Sequence, residues 1–460
     1  MWLSKLSCGP ILFTWRECAL VCASLVMMLG FAIQLADAKE PPRKKTELPG
    51  PSEIPHKQRT AAAATAAEFR SKHFLLHTDL PQKDARELLH KLEVMVGLIS
   101  KYWGQPASGT IECYVVANLA NWPEGSLNPA GRAKIKQEAG VTMVETMSRG
   151  TKLLRAKALV FATAEHGTPQ HEAVHAYCGQ TFGRTGPLWY AEGMAEVGQY
   201  WREADTSVHV PEHVLAYLRG SRRRSIDEIV ADDGTNASNT AGPAGDTWQN
   251  YAWRWSLCHL LVNNPNYAGR FRALGLALLN GTPTKFADVF GPMHDEIAFE
   301  FGLFLSHLEQ GYRVDLCSWD WKRKFRELTD GTPVHARVAA NRGWQPSGAT
   351  VEVGKRYEFS SSGNWSIDKE AAVTADGKSD GRGRLEGVIM KDFALGEPFP
   401  LGSYGSFVAP GDGRLYLRCR DEWNALADNK GSLSINIKDA DRGGSLPNPK
   451  QGQLETADAK

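Results

Sequence analysis

The chain has 460 residues, more than one ordinary domain needs and enough for two or three, with 42% hydrophobic and 23% charged residues. That balance excludes a disordered or collagenous chain and leaves material for a sizeable core. Lys and Arg number 53 against 52 Asp and Glu, a net charge of +1, so the chain carries no electrostatic footprint for nucleic acid or an anionic membrane.

Lys5 and Arg16 precede an apolar run, Ala19 to Leu35, that ends in Ala36-Asp37-Ala38, a small-x-small pattern for signal peptidase. Residues 1–38 therefore read as a signal peptide. The alternative is an uncleaved anchor helix, in which case a membrane joins the partners. Either way the remainder is expected to be exported, to the periplasm, the cell surface or the medium. Five of the eight cysteines lie beyond the signal, at 113, 178, 258, 317 and 419, an odd number that leaves at least one thiol free or paired between chains. Residues 39–66 begin with a Pro-rich, charged stretch and read as a solvated linker.

Globular patterning runs over 67–330. His73 to His77 is a short apolar strand, Lys83 to Trp103 places Leu at helical spacing, and Ile111 to Val116 is a β-branched strand. Lys157 to Thr163 is a further strand, followed by Thr168 and Pro169 as the cap and first residue of a helix. Pro187–Trp201, Trp248–Val262, Tyr267–Leu279 and Ile297–Gln310 read as helices. Between two of them, Asp232 to Gly245 is rich in small and polar residues, either a disordered insert or a flap over a cleft. From 332 to 440 short alternating runs separated by Gly, Ser and Asp turns predict an all-β sandwich, and 441–460 a disordered tail.

The helix opened by Pro169 carries His171-Glu172-Ala173-Val174-His175, the H-E-x-x-H arrangement. Residues four apart on a helix are offset by only about 40°, so both imidazoles leave one face and can share one ion, while Glu172 lies about 100° away, near enough to a bound water to act as general base. A catalytic zinc needs a third protein ligand. The next helix, Leu188-Trp189-Tyr190-Ala191-Glu192-Gly193-Met194-Ala195-Glu196, offers Glu192 as that ligand and Glu196, one turn on, as hydrogen-bond acceptor for the distal N–H of a metal-bound His. Without a metal, these are two ordinary helix histidines and a solvated acidic face.

H-E-A-V-H followed by W-Y-A-E-G-M-A-E resembles the gluzincin metallopeptidases of the thermolysin-like and aminopeptidase-like lineages. The block from the His73 strand to Phe286-Ala287-Asp288-Val289-Phe290-Gly291 is similar to secreted bacterial peptidase-MA-like proteins, roughly over residues 67–325. The resemblance implies an α+β zincin-like domain, zinc on His171, His175 and Glu192, Glu172 as base, a peptide substrate, and the Lys157–Thr163 strand as the one along which that substrate lies. Gluzincins often draw an oxyanion donor from a downstream helix, where this chain has Tyr251, with His259 two turns on.

Two weaker motifs remain. Gly377-Lys378-Ser379-Asp380-Gly381 matches G-x-S-x-G but lies in a polar loop without the strand and helix that a nucleophile elbow requires. Leu415 to Asp421 followed by Asp428 to Ile437 resembles the calcium end of PA-I-type galactose-binding lectins, which implies a jelly-roll, lectin-like fold, Asp421, Asp428 and Asn429 as calcium ligands, and a glycan partner. Ala425 stands where that family offers a hydroxyl, and the family's sugar-contacting His/Gln stretch has no counterpart around Asp376 to Arg384. The expected function is an exported zinc metallopeptidase. Its rivals are a non-catalytic carbohydrate- or surface-binding protein with a vestigial metal site, and a zinc hydrolase of non-peptide bonds.

Overall fold

The computed structural model describes residues 66–448, apart from 150–151, 166, 203–204, 232–247, 330 and 370; side chains at 148–149 and 152–154 are also outside the description. The predicted signal, almost all of the linker, most of the tail and the 232–245 segment thus lie outside the described residues. What is described falls in one compact unit, 62–460, of mixed α and β structure with three sheets.

The first sheet takes strands β1 (Ala67–Arg70), β2 (Phe74–Thr78), β3 (Ile111–Val116), β4 (Gly140–Arg149) and β5 (Lys152–Thr163) in the order β1-β2-β3-β5-β4. β2, β3 and β5 are parallel, and β4 is antiparallel to β5. Helix α1 (Gln82–Trp103) makes the crossover from β2 to β3 and buries Leu89, Leu92, Val96 and Ile99, one stripe at helical spacing. The short α2 (Pro129–Ile135) leads into β4. Helices α3 (Thr168–Phe182) and α4 (Leu188–Tyr200) follow β5, and α5 (Glu212–Gly220), α6 (Ile226–Val230) and α7 (Trp248–Asn263) complete the half around the site.

Two expectations are corrected here. Gly167, at φ 75°, caps α3, and Thr168 is already its first helical residue. More consequentially, the strand at Lys157–Thr163 is hydrogen-bonded on both sides, to β3 and to β4. Its backbone is spent within the sheet and cannot pair with a substrate. Among the described residues the free edge on this side of the sheet belongs to β4, a strand absent from the sequence expectations.

Beyond residue 325 two further sheets enclose a common core, an arrangement compatible with a β-sandwich. One pairs 334–339 and 356–362 with 430–439; the other pairs 385–391 and 345–351 with 413–419. Val338, Phe359 and Ile435 of the first meet Leu385, Leu415 and Leu417 of the second. This β region is joined to the helices by an aromatic cluster in which Trp319 packs on Tyr416 at 4.2 Å and Phe299 on Trp319 at 4.8 Å. The loop after Cys419 also docks on the helical half: Trp423 stacks on His307 at 4.3 Å, Asn424 Nδ2 donates to the Gln310 carbonyl at 3.0 Å, and Leu426, 1% exposed, enters the core of that half. The five cysteines are buried and unpaired. Among the described residues no helix is long and apolar enough to cross a membrane.

Candidate metal centre

Helix α3 presents His171 and His175 from one face, as the spacing requires, with ring centroids 4.9 Å apart. α4 packs close beside it because Gly198 has no side chain: a Cβ there would sit 2.3 Å from Val174 Cγ2. That approach brings Glu192 in as the third donor. Glu192 Oε2 lies 3.2 Å from His171 Nε2 and 3.4 Å from His175 Nε2, and the two Nε2 atoms are 3.2 Å apart. Among the described residues this is the His/Cys/Asp/Glu group whose ligand atoms converge closely enough to hold one ion. Glu196 Oε1 stands 2.9 Å from His171 Nδ1, the position foreseen for it, and fixes the ring so that Nε2 faces the shared space.

The electrostatics fit a cation. Burial works against charge on His171, yet hydrogen bonds and attraction from Glu192 and Glu196 raise its pKa well above the ordinary imidazole value. Burial would likewise raise the Glu192 carboxyl, but attraction to His175 and hydrogen bonds with both imidazoles hold it far below the usual carboxylate range. Two carboxylates thus concentrate negative potential on one small volume.

Glu172 is buried and is held from β4: Thr142 Oγ1 donates to Glu172 Oε2 at 2.7 Å. Tyr251, near the start of α7, puts its ring 5.8 Å from that of His171, with the Arg254 guanidinium 5.9 Å from the Tyr251 ring on the same helix. His171, Glu172, Glu196 and Tyr251 line a cleft of about 1310 Å³, with His90, Lys134, His209, His213 and Trp248 among its other walls. No protein-family model matches the chain. No curated protein matches it either. Among solved structures, an "EclA N-terminal domain; PllA-like lectin" shares 19% identity over 24% of this chain and 98% of its own, with a TM-score of 0.21.

His259 does not reach the metal centre. Its ring is stacked on Phe304 at 6.0 Å, and it lines a separate small cavity with Asp205, Ser207 and His209, where its buried Nε2 has no protein partner. Burial, reinforced by His209, pushes its pKa down to about 4 from 6.5. A histidine held neutral in the fold but protonated in the unfolded chain stabilises the protein fully above about pH 6.5, and that contribution is lost as pH falls toward about 4. The unfolding midpoint should therefore drop across this interval by the equivalent of up to about 3 kcal/mol. His259→Phe, which keeps the ring packing, should flatten that limb in thermal melts.

In the β region, Asp421 and Asn429 do come together, 6% and 3% exposed, and Asp421 Oδ2 and Asn429 Oδ1 are both buried without a partner among protein atoms. Burial raises the Asp421 carboxyl, although Asn429 hydrogen-bonds to it. Asp428 lies at the surface beside them. Two unpaired buried oxygens are a hard-cation donor set in part, short of the six to eight that calcium takes. Gly377 to Gly381 is a turn with no flanking strand and helix of its own, as its composition implied.

Proposed function

We propose that this protein is an exported zinc metallopeptidase of the gluzincin type, with a zincin-like domain built on α3 and α4 and a lectin-like β-sandwich behind it. The observation that carries the reading is the mutual spacing of His171 Nε2, His175 Nε2 and Glu192 Oε2, 3.2, 3.2 and 3.4 Å. A tetrahedral zinc with bonds of about 2.0–2.1 Å has ligand-to-ligand edges of roughly 3.3 Å. Three edges of that length leave one apex open, the pattern of a catalytic rather than a closed structural site.

Zinc, when bound, supplies Lewis acidity toward a carbonyl oxygen and brings the pKa of a water to about 7. The chain does the rest. Glu172 takes a proton from the attacking water and returns it to the departing amine. Glu196 keeps His171 in the tautomer whose Nε2 lone pair faces the shared space. Tyr251 is the proposed hydrogen-bond donor to the oxyanion. An extended peptide would pair with the free edge of β4, which borders the same cleft through Gly140. Calcium at Asp421, Asn429 and Asp428 is a further part of the proposal, supported by the two unpaired buried oxygens. A glycan bound by this region would have to use a face other than Trp423 to Leu426, which is occupied by packing against the helical half.

Elemental analysis tests the reading: the purified chain should carry about one zinc, and a chelator should abolish cleavage of a mixed peptide library. Glu196→Ala should weaken zinc binding roughly 10- to 100-fold in a competition titration, the usual cost of removing such a partner. A chain that stays metal-free at neutral pH in excess zinc would refute the reading and favour a binding protein.

A further inference from the structure

β4 alternates its two faces in register with β5, Gly140 opposite Ala162 and Thr142 opposite Val160. Val141 and Met143 turn toward Trp122 and Phe161, while Val144 lies against α3 beside Gly179. Gly140 and Thr142 share the α3 side with Val144, and both meet Glu172. Thr142 Oγ1 is 2.7 Å from Glu172 Oε2 and 2.8 Å from the main-chain oxygen of the same residue. A Cβ on Gly140 would stand 2.5 Å from Glu172 Cγ and 2.8 Å from Oε1. One residue of β4 thus grips one carboxylate oxygen, and its neighbour two positions earlier leaves space for the other.

We propose that β4 is the positioning element for the base, Thr142 pinning Glu172 Oε2 so that Oε1, kept clear by Gly140, is the oxygen that takes the proton. The inference rests on the hydrolase reading and adds residues to it. A glutamate has three side-chain torsions to restrain, and a base that wanders loses the alignment that proximity provides. The Thr142 hydroxyl has one proton to give, and the closer contact, with Oε2, is the one that ties the carboxylate to β4, the Glu172 main-chain oxygen at 2.8 Å being its competing acceptor. The bond persists through a turnover. Ionised Glu172 accepts from Thr142 at Oε2, and after Oε1 has gained a proton from water, Oε2 is a carbonyl oxygen that still accepts. When Oε1 passes that proton to the departing amine, nothing else has moved. Register matters for the same reason: a one-residue slip of β4 would bring Val141 against the carboxylate and carry the hydroxyl to the opposite face.

Thr142→Val keeps the shape and removes the hydroxyl; Thr142→Ser keeps the hydroxyl. In the zinc-loaded full chain, Thr142→Val should lower kcat on the peptide library about tenfold with KM within about twofold, and Thr142→Ser should restore most of it, a charge-assisted hydrogen bond being worth about that factor. Zinc content should be unchanged in both, since neither touches the three donors. A readout independent of turnover is calorimetry with acetohydroxamate, whose acidic proton needs the same acceptor: its Kd should weaken about tenfold in Thr142→Val and hold in Thr142→Ser. Gly140→Ala, with a methyl pressed on Oε1, should weaken both more than Thr142→Val does. Wild-type turnover and acetohydroxamate affinity in Thr142→Val would overturn the proposal. With Glu172→Gln as control the two failures separate: if Glu172→Gln is inactive and Thr142→Val is not, only the role of β4 falls, whereas an active Glu172→Gln removes the base assignment and this inference with it.

Discussion

On the proposed hydrolase reading, Glu172→Gln should reduce peptide hydrolysis roughly a hundred- to ten-thousand-fold, the range for loss of a positioned general base, with zinc content and fold unchanged. The substitution is close to isosteric. The Gln carbonyl can still accept from Thr142, which now holds Glu172 Oε2 at 2.7 Å, and the amide nitrogen takes the place of Oε1. An amide has no basic lone pair there, so a water in the cleft keeps its proton. Because His171, His175 and Glu192 are untouched, zinc per chain should match the wild type, which separates loss of chemistry from loss of metal. Turnover by Glu172→Gln at the wild-type rate would show that the buried carboxylate serves only to pack against β4.

The largest effect on stability is expected at Glu300, which does not line the cleft. This 4% exposed carboxylate accepts from Asn264 Nδ2 at 2.6 Å, Asn266 Nδ2 at 3.1 Å, Tyr267 Oη at 2.6 Å, the Trp319 main-chain nitrogen at 3.0 Å and Trp321 Nε1 at 2.7 Å. Five donors on two oxygens leave no lone pair idle. Glu300→Ala strips all five at once and leaves buried donors that no water can readily reach. A cost of about 3–5 kcal/mol, from several buried donors left without an acceptor at about 1–3 kcal/mol each, should appear as a lowered urea midpoint. Glu300→Gln should fall between wild type and Ala, because its carbonyl serves some of the donors while its amide opposes the rest. A shift in Glu300→Ala of no more than about 0.5 kcal/mol, ordinary for surface changes, would contradict the hub.

The candidate metal centre was legible because its four donors and partners obey one rule. His171 and His175 are four residues apart on one helix, and Glu192 and Glu196 four apart on the next, so helical periodicity alone brings each pair to one side. The packing of the two helices on each other was not in that rule; it depends on Gly198 admitting Val174. β4 was missed for a physical reason. Its positions facing α3 are Gly140, Thr142 and Val144, and those beside the carboxylate must be small or polar, which blurs the apolar alternation that marks a half-buried strand. The expectation for Lys157–Thr163 came from the family resemblance, and it fails because β4 pairs along that strand's other side. Glu300 was invisible for another reason: its donors come from a turn, two tryptophans and a helix end brought together only by tertiary packing. His259 illustrates the converse, since the resemblance to gluzincins put it beside Tyr251 as a candidate, but two turns of helix carry it into a different cavity.

Gln310 accepts from Asn424 of the β region through its carbonyl, and its side-chain amide donates to the Val210 carbonyl on the cleft wall. The β region is therefore not an interchangeable cassette. A lineage that traded it for another appendage would vacate the socket filled by Leu426 and release the brace behind His209 and His213, so the shape of the cleft and the choice of appendage must evolve together.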